Sequence, residues 1–557
     1  MNLLFVNPCI RPGSTKTLSV GLGAVMTYVR EYGYTDFDFL DIDINEYSDE
    51  FVENYLKDNK YDVVLSGSIV THYGWMKWLT NTVKKYHPDT KVVIGNSVGG
   101  SCPEVFLRNS GTDIVVIGEG EITLAEVLDK IRDNGSLHDI EGIAFIDDDG
   151  KFIETPKRKG CEIDDLPMID WDFFDTDLYF EKSDHWGAEG LVFDEENPPR
   201  IMPVIAARGC AFKCTFCHYV FWDDKYRNRS PEKVISEIKR NIDKYGADYI
   251  NFWDDLSFAS IPQAEKFVDA LLDSGIKINW NASIRVDLFG HPRTSYERRL
   301  RVAKKFKESG CLSLFFALES GNQEILEMMN KKIVNVHFFV QIDLLRKAGI
   351  VVNCTVVFGY PIETKETIQE TFDMCLKAKI YPSMGYLMPL PYTGMYTYAK
   401  ENGYIKDEDA YLTSLKERQD INLNMTKMSD DEITGYITEG AKKLNQMLDL
   451  GLDDNSLIKT GGYRKHTEKT AGNASDEVYI AKDWDDNRGP LDPDNIKRNE
   501  NDFSYNYNLS MKVNSDSDNL TLSYSQAIFE TDLGLENENK EKTSAKKKGN
   551  SSGNNSK

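Results

Sequence analysis

In the first 140 positions, short apolar runs at residues 3–6, 36–40, 62–65, 91–94 and 113–117 alternate with helical-period stretches at 18–32, 50–57 and 75–86. Strands alternating with helices predict a parallel sheet of about five strands, wound by helices on both faces. After residue 140 the pattern changes. Gly142-Ile143-Ala144-Phe145 and Lys151-Phe152-Ile153-Glu154 flank Asp147-Asp148-Asp149-Gly150, a hairpin signal around an acidic turn. Residues 184–199 are polar and end on proline, as loops do. From the apolar run 201–207 the alternation resumes. Strands are expected at 249–253, 279–284, 313–317, 351–358 and 384–387, and helices at 233–245, 262–274, 298–309, 323–329, 336–347 and 366–379. Ser230-Pro231-Glu232 supplies an N-cap and a first-turn proline to the first of these helices. About six βα units result, enough for a partial (β/α)6 barrel. Ser429-Asp430-Asp431-Glu432 is a capping box that opens a helix over 433–448. Beyond 451 the chain turns polar; a terminal hairpin is expected at 503–513 and 520–524, then a disordered tail rich in Asn, Ser and Lys.

Composition changes this picture little. The 557 residues allow three or four domains, and 41% hydrophobic with 28% charged residues is ordinary for a globular chain. A formal net charge of −24 argues against nucleic acid as the main partner, since phosphate binding needs a basic surface. No apolar run approaches ~18 residues and the first residues lack a basic region, so neither a membrane span nor a signal peptide is expected. The nine cysteines form no disulfide framework, and a cytoplasmic location is the expectation.

The chemistry is concentrated in Arg208-Gly209-Cys210-Ala211-Phe212-Lys213-Cys214-Thr215-Phe216-Cys217-His218. Cys210, Cys214 and Cys217 stand at C-x3-C-x2-C spacing, and thiolates select Fe–S clusters, Zn or Cu(I). Closed zinc sites and electron-transfer [4Fe–4S] sites take four ligands, so three cysteines leave one position open. A zinc knuckle with His218 as fourth ligand is the competing reading. The spacing, with the aromatic Phe216 before the last cysteine, resembles the signature of the radical S-adenosylmethionine (SAM) enzymes. That resemblance implies a [4Fe–4S] cluster whose open iron holds SAM and whose electron cleaves it to a 5′-deoxyadenosyl radical.

It extends along the barrel, where the chemistry of parallel barrels lies at the carboxyl ends of the strands. Asp254-Asp255 resembles the segment that receives the SAM amino group. Asn281, Ser283 and Arg285 line up after the third strand, with the Arg285 fork suited to the SAM carboxylate. Glu319-Ser320-Gly321 looks like the ribose-binding element. Gly359-Tyr360-Pro361-Ile362-Glu363-Thr364 matches the family's Gly-x-Pro-x-Glu-Thr turn on the adenine side, which brings in Gly359, Pro361 and Glu363. Pro389-Leu390-Pro391-Tyr392-Thr393-Gly394 resembles the loop closing the barrel edge. No catalytic side chain is assigned beyond the cluster.

In the first domain, small residues follow the strand ends: Asn7-Pro8 with Gly13-Ser14-Thr15, Ser66-Gly67-Ser68, Gly95 with the glycines after it, and Gly118-Glu119-Gly120-Glu121. Such residues let a large flat ligand approach backbone amides. The stretch from Val93-Ile94-Gly95 to Glu121 resembles the cobalamin-binding domain that precedes many radical SAM cores. The Asp-x-His-x-x-Gly that supplies a cobalt ligand elsewhere is missing, and His72 reads as a surface histidine rather than a substitute. Only Cys9 and Cys102 fall in this region, against the three further cysteines of methylthiotransferases. Cys161, Cys311, Cys354 and Cys375 fall singly and are expected in cores. Leu166-Pro167-Met168-Ile169-Asp170-Trp171 resembles the family's bridge between domains.

The fold expected is therefore α/β. A Rossmann-like doubly wound sheet (1–140) is followed by a bridging segment (141–198), a partial (β/α)6 TIM-type barrel (199–400), a mostly helical C-terminal extension (401–530) and a tail (531–557). The implied function is cobalamin-assisted radical methylation of an unactivated carbon in a small molecule, with an electron donor such as flavodoxin or ferredoxin. A non-methylating cyclase, oxidase or rearrangement enzyme is the alternative, and a non-catalytic Fe–S module the weaker one.

Overall fold

The computed structural model describes residues 1–11, 16–183, 199–218, 224–454 and 457–458, all within one compact unit, Met1–Asp502. Gly13-Ser14-Thr15, the loop expected before residue 199, and the hairpin and tail expected beyond 502 lie outside the described residues.

The first sheet contains β1 (Leu3–Asn7), β2 (Asp38–Asp41), β3 (Val63–Gly67), β4 (Lys91–Gly95), β5 (Ile114–Val116), β6 (Ile143–Ile146) and β7 (Phe152–Glu154), in the order β2-β1-β3-β4-β5-β6-β7. The first five are parallel. Their continuous apolar runs follow from burial on both faces. Leu4, Val6, Val64, Val92, Ile94 and Val115 pack on one side with the helices Asp49–Asp58, Tyr73–Tyr86 and Pro103–Asn109. Leu3, Phe5, Leu65, Val93, Ile114 and Val116 pack on the other, with Val20–Tyr32 and Gly120–Arg132. The hairpin expected in the bridging segment forms as β6 and β7, and it adds the edge of this sheet because β6 also pairs antiparallel with β5. The chain moves from β1 out to β2 and back across to β3, so the switch point falls between β1 and β3, where open α/β sheets bind ligands.

Ile169 and Trp171 lie against the helix Val20–Tyr32 at Gly23, where a Cβ would stand 2.9 Å from Ile169 and 3.2 Å from the Trp171 ring. On the other side, Tyr245 Oη accepts from the Trp171 amide at 3.1 Å and donates to Asp170 at 3.2 Å. The bridge is thus clamped to both halves.

The second sheet is six-stranded and parallel: β8 (Ile201–Val204), then β11 (Tyr249–Phe252), β12 (Asn279–Ser283), β13 (Cys311–Glu319), β14 (Val351–Phe358) and β15 (Ser383–Tyr386) side by side. Between β8 and β11 the chain makes the short antiparallel pair β9 (Ala207–Arg208) and β10 (Arg227–Asn228). β8 and β15 remain edges, so the barrel is open, and Pro203 sits on an edge strand, where its missing N–H is tolerated. Ser230 holds the N-cap position of Pro231–Tyr245, but its side chain makes no cap bond; its amide instead donates to the Asp164 carboxylate at 3.1 Å. β13 outruns its expected span because a register shift between Ala317 and Glu319 keeps it paired with β14.

The extension beyond 400 acts as a staple. Asp430–Leu448 opens with both arms of the capping box and packs through Gly440 on Phe372 of the helix Lys365–Lys377. The helix Glu408–Thr413 reaches the first domain: Leu412 joins its core, and Tyr73 Oη and Lys77 Nζ donate to Asp409 at 2.8 Å. No helix among the described residues is long and apolar enough to cross a membrane.

Candidate functional site

The three-cysteine loop leaves β9 through Gly209, whose φ of +78° is the left-handed turn that glycine permits. Thr215 pins it. Its amide donates to Met329 O at 2.9 Å, its hydroxyl to Met328 O at 3.0 Å, and its carbonyl accepts from Met395 N at 2.9 Å. Burial pushes all three thiols up; Lys331 and Arg285 pull Cys214 back, and Arg285 and Lys331 act likewise on Cys210. Buried thiols beside two cations suit an anionic cluster, since bound metal deprotonates a coordinating thiol outright. Among the described residues no three His, Cys, Asp or Glu side chains converge as ligands of one metal ion would. His218 has its Nδ1 2.8 Å from the Pro391 carbonyl.

One cavity of about 750 Å³ runs from the ends of β1, β3, β4 and β5 to the ends of β8, β11 and β12. Of the residues expected at SAM, Asp254, Asp255, Asn281 and Ser283 line it. Asp254 Oδ1 accepts from the Ala206 and Ala207 amides at 2.9 and 3.0 Å, and the buried Ser257 hydroxyl also acts on this carboxyl. Burial pushes Asp254 up to about 7 and Asp255 up to about 6. A buried carboxylate on the cavity wall fits an ammonium group of a ligand.

The other expected residues stand outside the cavity lining, in the shell around the cluster loop. The Arg285 fork is taken, with Nε donating to Asp287 at 2.9 Å and Nη2 to Lys331 O at 2.8 Å; its flat face covers Phe212 at 3.4 Å. Glu319, at a left-handed φ of +68° beside the register shift, is buried against Lys331 Nζ at 2.8 Å, and Ser320 accepts from the Asn322 amide. Gly359, at φ +99°, begins the expected turn. Glu363 folds back to accept from the Gly359 amide at 3.2 Å, and burial pushes it up to about 7. Pro361 lies within this turn. Phe216 packs edge-on against Tyr360 at 6.3 Å, with the Lys331 ammonium 5.7 Å from its centroid.

In the first domain, Ser66, Gly67, Gly95, Gly118, Glu119, Gly120 and Glu121 line the cavity. A Cβ at Gly95 or Gly118 would meet nothing within 4 Å, so both mark open space. Apolar Val25, Leu65, Val93 and Leu124 continue the cavity inward between helices and sheet. A wide glycine mouth over an apolar slot fits a flat macrocycle with an aromatic tail. Asn7, Pro8 and Ser68 do not line the cavity. Asn7 donates to Asp41 at 2.8 Å and to Tyr179 Oη at 3.1 Å, and Ser68 bonds the His72 ring at 3.2 Å. His72 is half-buried and stacked on Trp75 rather than a plain surface residue; burial and Arg11 push it down to about 4.

The residues that sequence reasoning did not connect are the partners of Glu119 and Glu121. Arg208 Nη1 is 3.3 Å from Glu119 and its Nη2 2.5 Å from Glu121; Arg227 Nη2 is 2.5 Å from Glu119. These side chains are 6%, 6%, 9% and 17% exposed for Glu119, Glu121, Arg208 and Arg227. Burial works against the Glu119 charge, but Arg227 and Arg208 hold its carboxyl below the usual range. The two carboxylates therefore bind the cluster strand to the first domain. Local sequence carries no signal of this beyond unlike charges in distant loops. The unassigned cysteines Cys311, Cys354 and Cys375 are buried as expected, whereas Cys161 joins the charge cluster, its amide donating to Glu119 at 3.0 Å.

Fold and site together define a chain in which a B12-binding domain is joined to a radical SAM domain. The B12 binding domain family matches residues 14–128 and the Radical SAM superfamily residues 204–375. The cofactors of these domains are cobalamin, and a [4Fe–4S] cluster with SAM. The chain is similar to an uncharacterized methyltransferase of Pyrococcus horikoshii, 28% identical over 58% of this chain and 66% of that one. It is also similar to an anaerobic magnesium-protoporphyrin IX monomethyl ester cyclase of Rubrivivax gelatinosus, 27% identical over 67% of this chain and 65% of the relative. The matched region spans just under two thirds of each relative. In fold it resembles the cobalamin-dependent S-adenosylmethionine radical enzyme OxsB with aqua-cobalamin and S-adenosylmethionine bound. The TM-score is 0.58 at 16% identity, covering 74% of this chain and 56% of that one.

Proposed function

We propose that this protein is a cobalamin-dependent radical SAM enzyme that methylates an unactivated carbon of a small molecule. The observation that carries the reading is the cavity reached from the strand ends of both sheets, with Arg208 and His218 of the three-cysteine loop in its lining. When bound, the cluster and SAM supply a carbon-centred radical able to take hydrogen from an inert carbon, and methylcobalamin supplies a methyl group. The chain's own residues orient and enclose. Cys210, Cys214 and Cys217 hold the cluster. Asp254 offers a buried acceptor to an ammonium group, and Asn281 and Ser283 add polar groups to the same wall. Gly95 and Gly118 keep side chains out of the corrin's space. The Glu119/Glu121–Arg208/Arg227 cluster fixes the distance between the two halves. A one-electron donor of the flavodoxin or ferredoxin kind completes the system in a reducing, cytoplasmic setting.

A second reading is a cobalamin radical SAM enzyme that cyclises or oxidises without methylating, favoured by the similarity to the Rubrivivax cyclase. One experiment separates them. The full chain, reconstituted anaerobically with iron, sulfide and hydroxocobalamin, is reduced with SAM labelled in its methyl group and incubated with a small-molecule extract of its source. Formation of 5′-deoxyadenosine together with label in a new small molecule is expected. Deoxyadenosine with a new but unlabelled product supports the second reading, and no deoxyadenosine leaves only a non-catalytic Fe–S module.

A further inference from the structure

His218 follows the last cysteine of the loop, and neither the cluster nor the expected SAM contacts use it. Its Nδ1 lies 2.8 Å from the Pro391 carbonyl oxygen, which can only accept, so Nδ1 carries the ring proton. In the neutral ring this leaves the Nε2 lone pair as an acceptor. Nε2 is buried and has no hydrogen-bond partner among the described residues, and His218 lines the cavity. The bond to Pro391 holds the ring, so Nε2 cannot turn away to find a partner. Buried polar atoms are nearly always paired, and an unpaired one is costly. An unpaired acceptor on a residue that lines the cavity calls for a ligand that brings an N–H donor.

We propose that His218 Nε2 accepts a hydrogen bond from an amide or amine N–H of a cofactor filling this cavity. The proposal rests on the reading that the cavity takes cobalamin and SAM. Both carry such donors: the primary amides on the corrin rim of cobalamin, and the ammonium and adenine amine of SAM. The donor chemistry is shared, and the two sources are separated by experiment.

The test compares His218→Asn with His218→Gln in the reconstituted full chain. Asn keeps an N–H near the Nδ1 position for Pro391 but loses the far acceptor, whereas Gln can place an oxygen near Nε2. Binding of hydroxocobalamin is read from its visible spectrum and binding of SAM by equilibrium dialysis, with iron content measured for each protein. The Asn variant is expected to bind one of the two cofactors about tenfold more weakly, with the Gln variant within about threefold of the parent and iron content equal in all three. Whichever cofactor weakens is the donor. Unchanged binding of both cofactors overturns the proposal. So does weakening in Gln but not Asn, since the Pro391 bond would then be what matters, and so does equal weakening in both, since the far acceptor would then make no difference. Loss of iron in the Asn variant also overturns it, in favour of a cluster ligand. If the parent itself binds neither cofactor, the functional reading fails as well, which is a distinguishable result.

Discussion

Replacing both Glu119 and Glu121 by Gln would leave Arg208 and Arg227 facing each other at the domain junction. Each carboxylate stands 2.5 Å from a guanidinium nitrogen in the intact protein, and all four side chains are largely buried. At an effective dielectric of about 20, a pair some 3 Å apart is worth on the order of 5 kcal/mol before desolvation. Removing one sign of a buried pair costs about 3–5 kcal/mol, because the remaining charge stays out of water. Glutamine still accepts a hydrogen bond, and Asp224 remains 3.9 Å from Arg227, so the lower end, about 3 kcal/mol, is expected. Urea unfolding of the full chain, followed by tryptophan fluorescence, measures it. Two controls identify the cause. Raising salt from about 0.1 to 1 M should change the difference little, as screening hardly reaches buried pairs. Adding Arg208→Met and Arg227→Met to the double variant should recover most of the loss, since a buried ionic cluster can be replaced by apolar residues. A loss below about 1 kcal/mol, or one that salt abolishes, would mean that these charges are hydrated and that the junction is held by something else.

Three further outcomes are expected. Asp41, buried beside Asn7 and Tyr179, is pushed by burial from its ordinary 3.8 up to about 6. The native state therefore binds the proton more tightly than the unfolded chain, and stability falls as pH rises from about 4 to 6, by on the order of 3 kcal/mol. Asp41→Asn should show no such fall, and parallel unfolding curves for the two proteins across that window would refute it. Gly95→Leu places a side chain where a Cβ meets nothing within 4 Å, at the mouth of the cavity. It should unfold within about 1 kcal/mol of the parent yet bind hydroxocobalamin at least about tenfold more weakly. Equal binding would place the corrin elsewhere. Gly440→Ala sets a Cβ 2.3 Å from the Phe372 ring and should cost about 1–3 kcal/mol through the packing of Asp430–Leu448, with iron content unchanged. A variant as stable as the parent would show that this helix is not a staple.

Local signals sufficed for much of this protein. Short apolar runs and helical-period stretches placed the parallel strands of both sheets, because burial on both faces of a parallel sheet writes itself into continuous apolar runs. The capping box at Ser429 and Glu432 formed with both arms, since it needs only neighbours three residues apart. The spacing of Cys210, Cys214 and Cys217 was legible for the same reason. Other features depended on pairings between distant segments. The hairpin after residue 140 became a sheet edge because β5 offered unpaired backbone groups to β6, a matter of register rather than composition. Asn7 left the site for Asp41 and Tyr179, the latter 172 positions away. Arg285 turned its fork to Asp287 and the Lys331 carbonyl, and Glu119 met Arg227 across 108 positions. The amino-acid sequence by itself determined the strands and helices of the two sheets and the cluster loop, through patterns that reach only a few residues along the chain. The tertiary structure alone decided which acceptor was left unpaired at the shared cavity and which charges bind its two halves, because those pairings are chosen only once the packed domains bring distant side chains together.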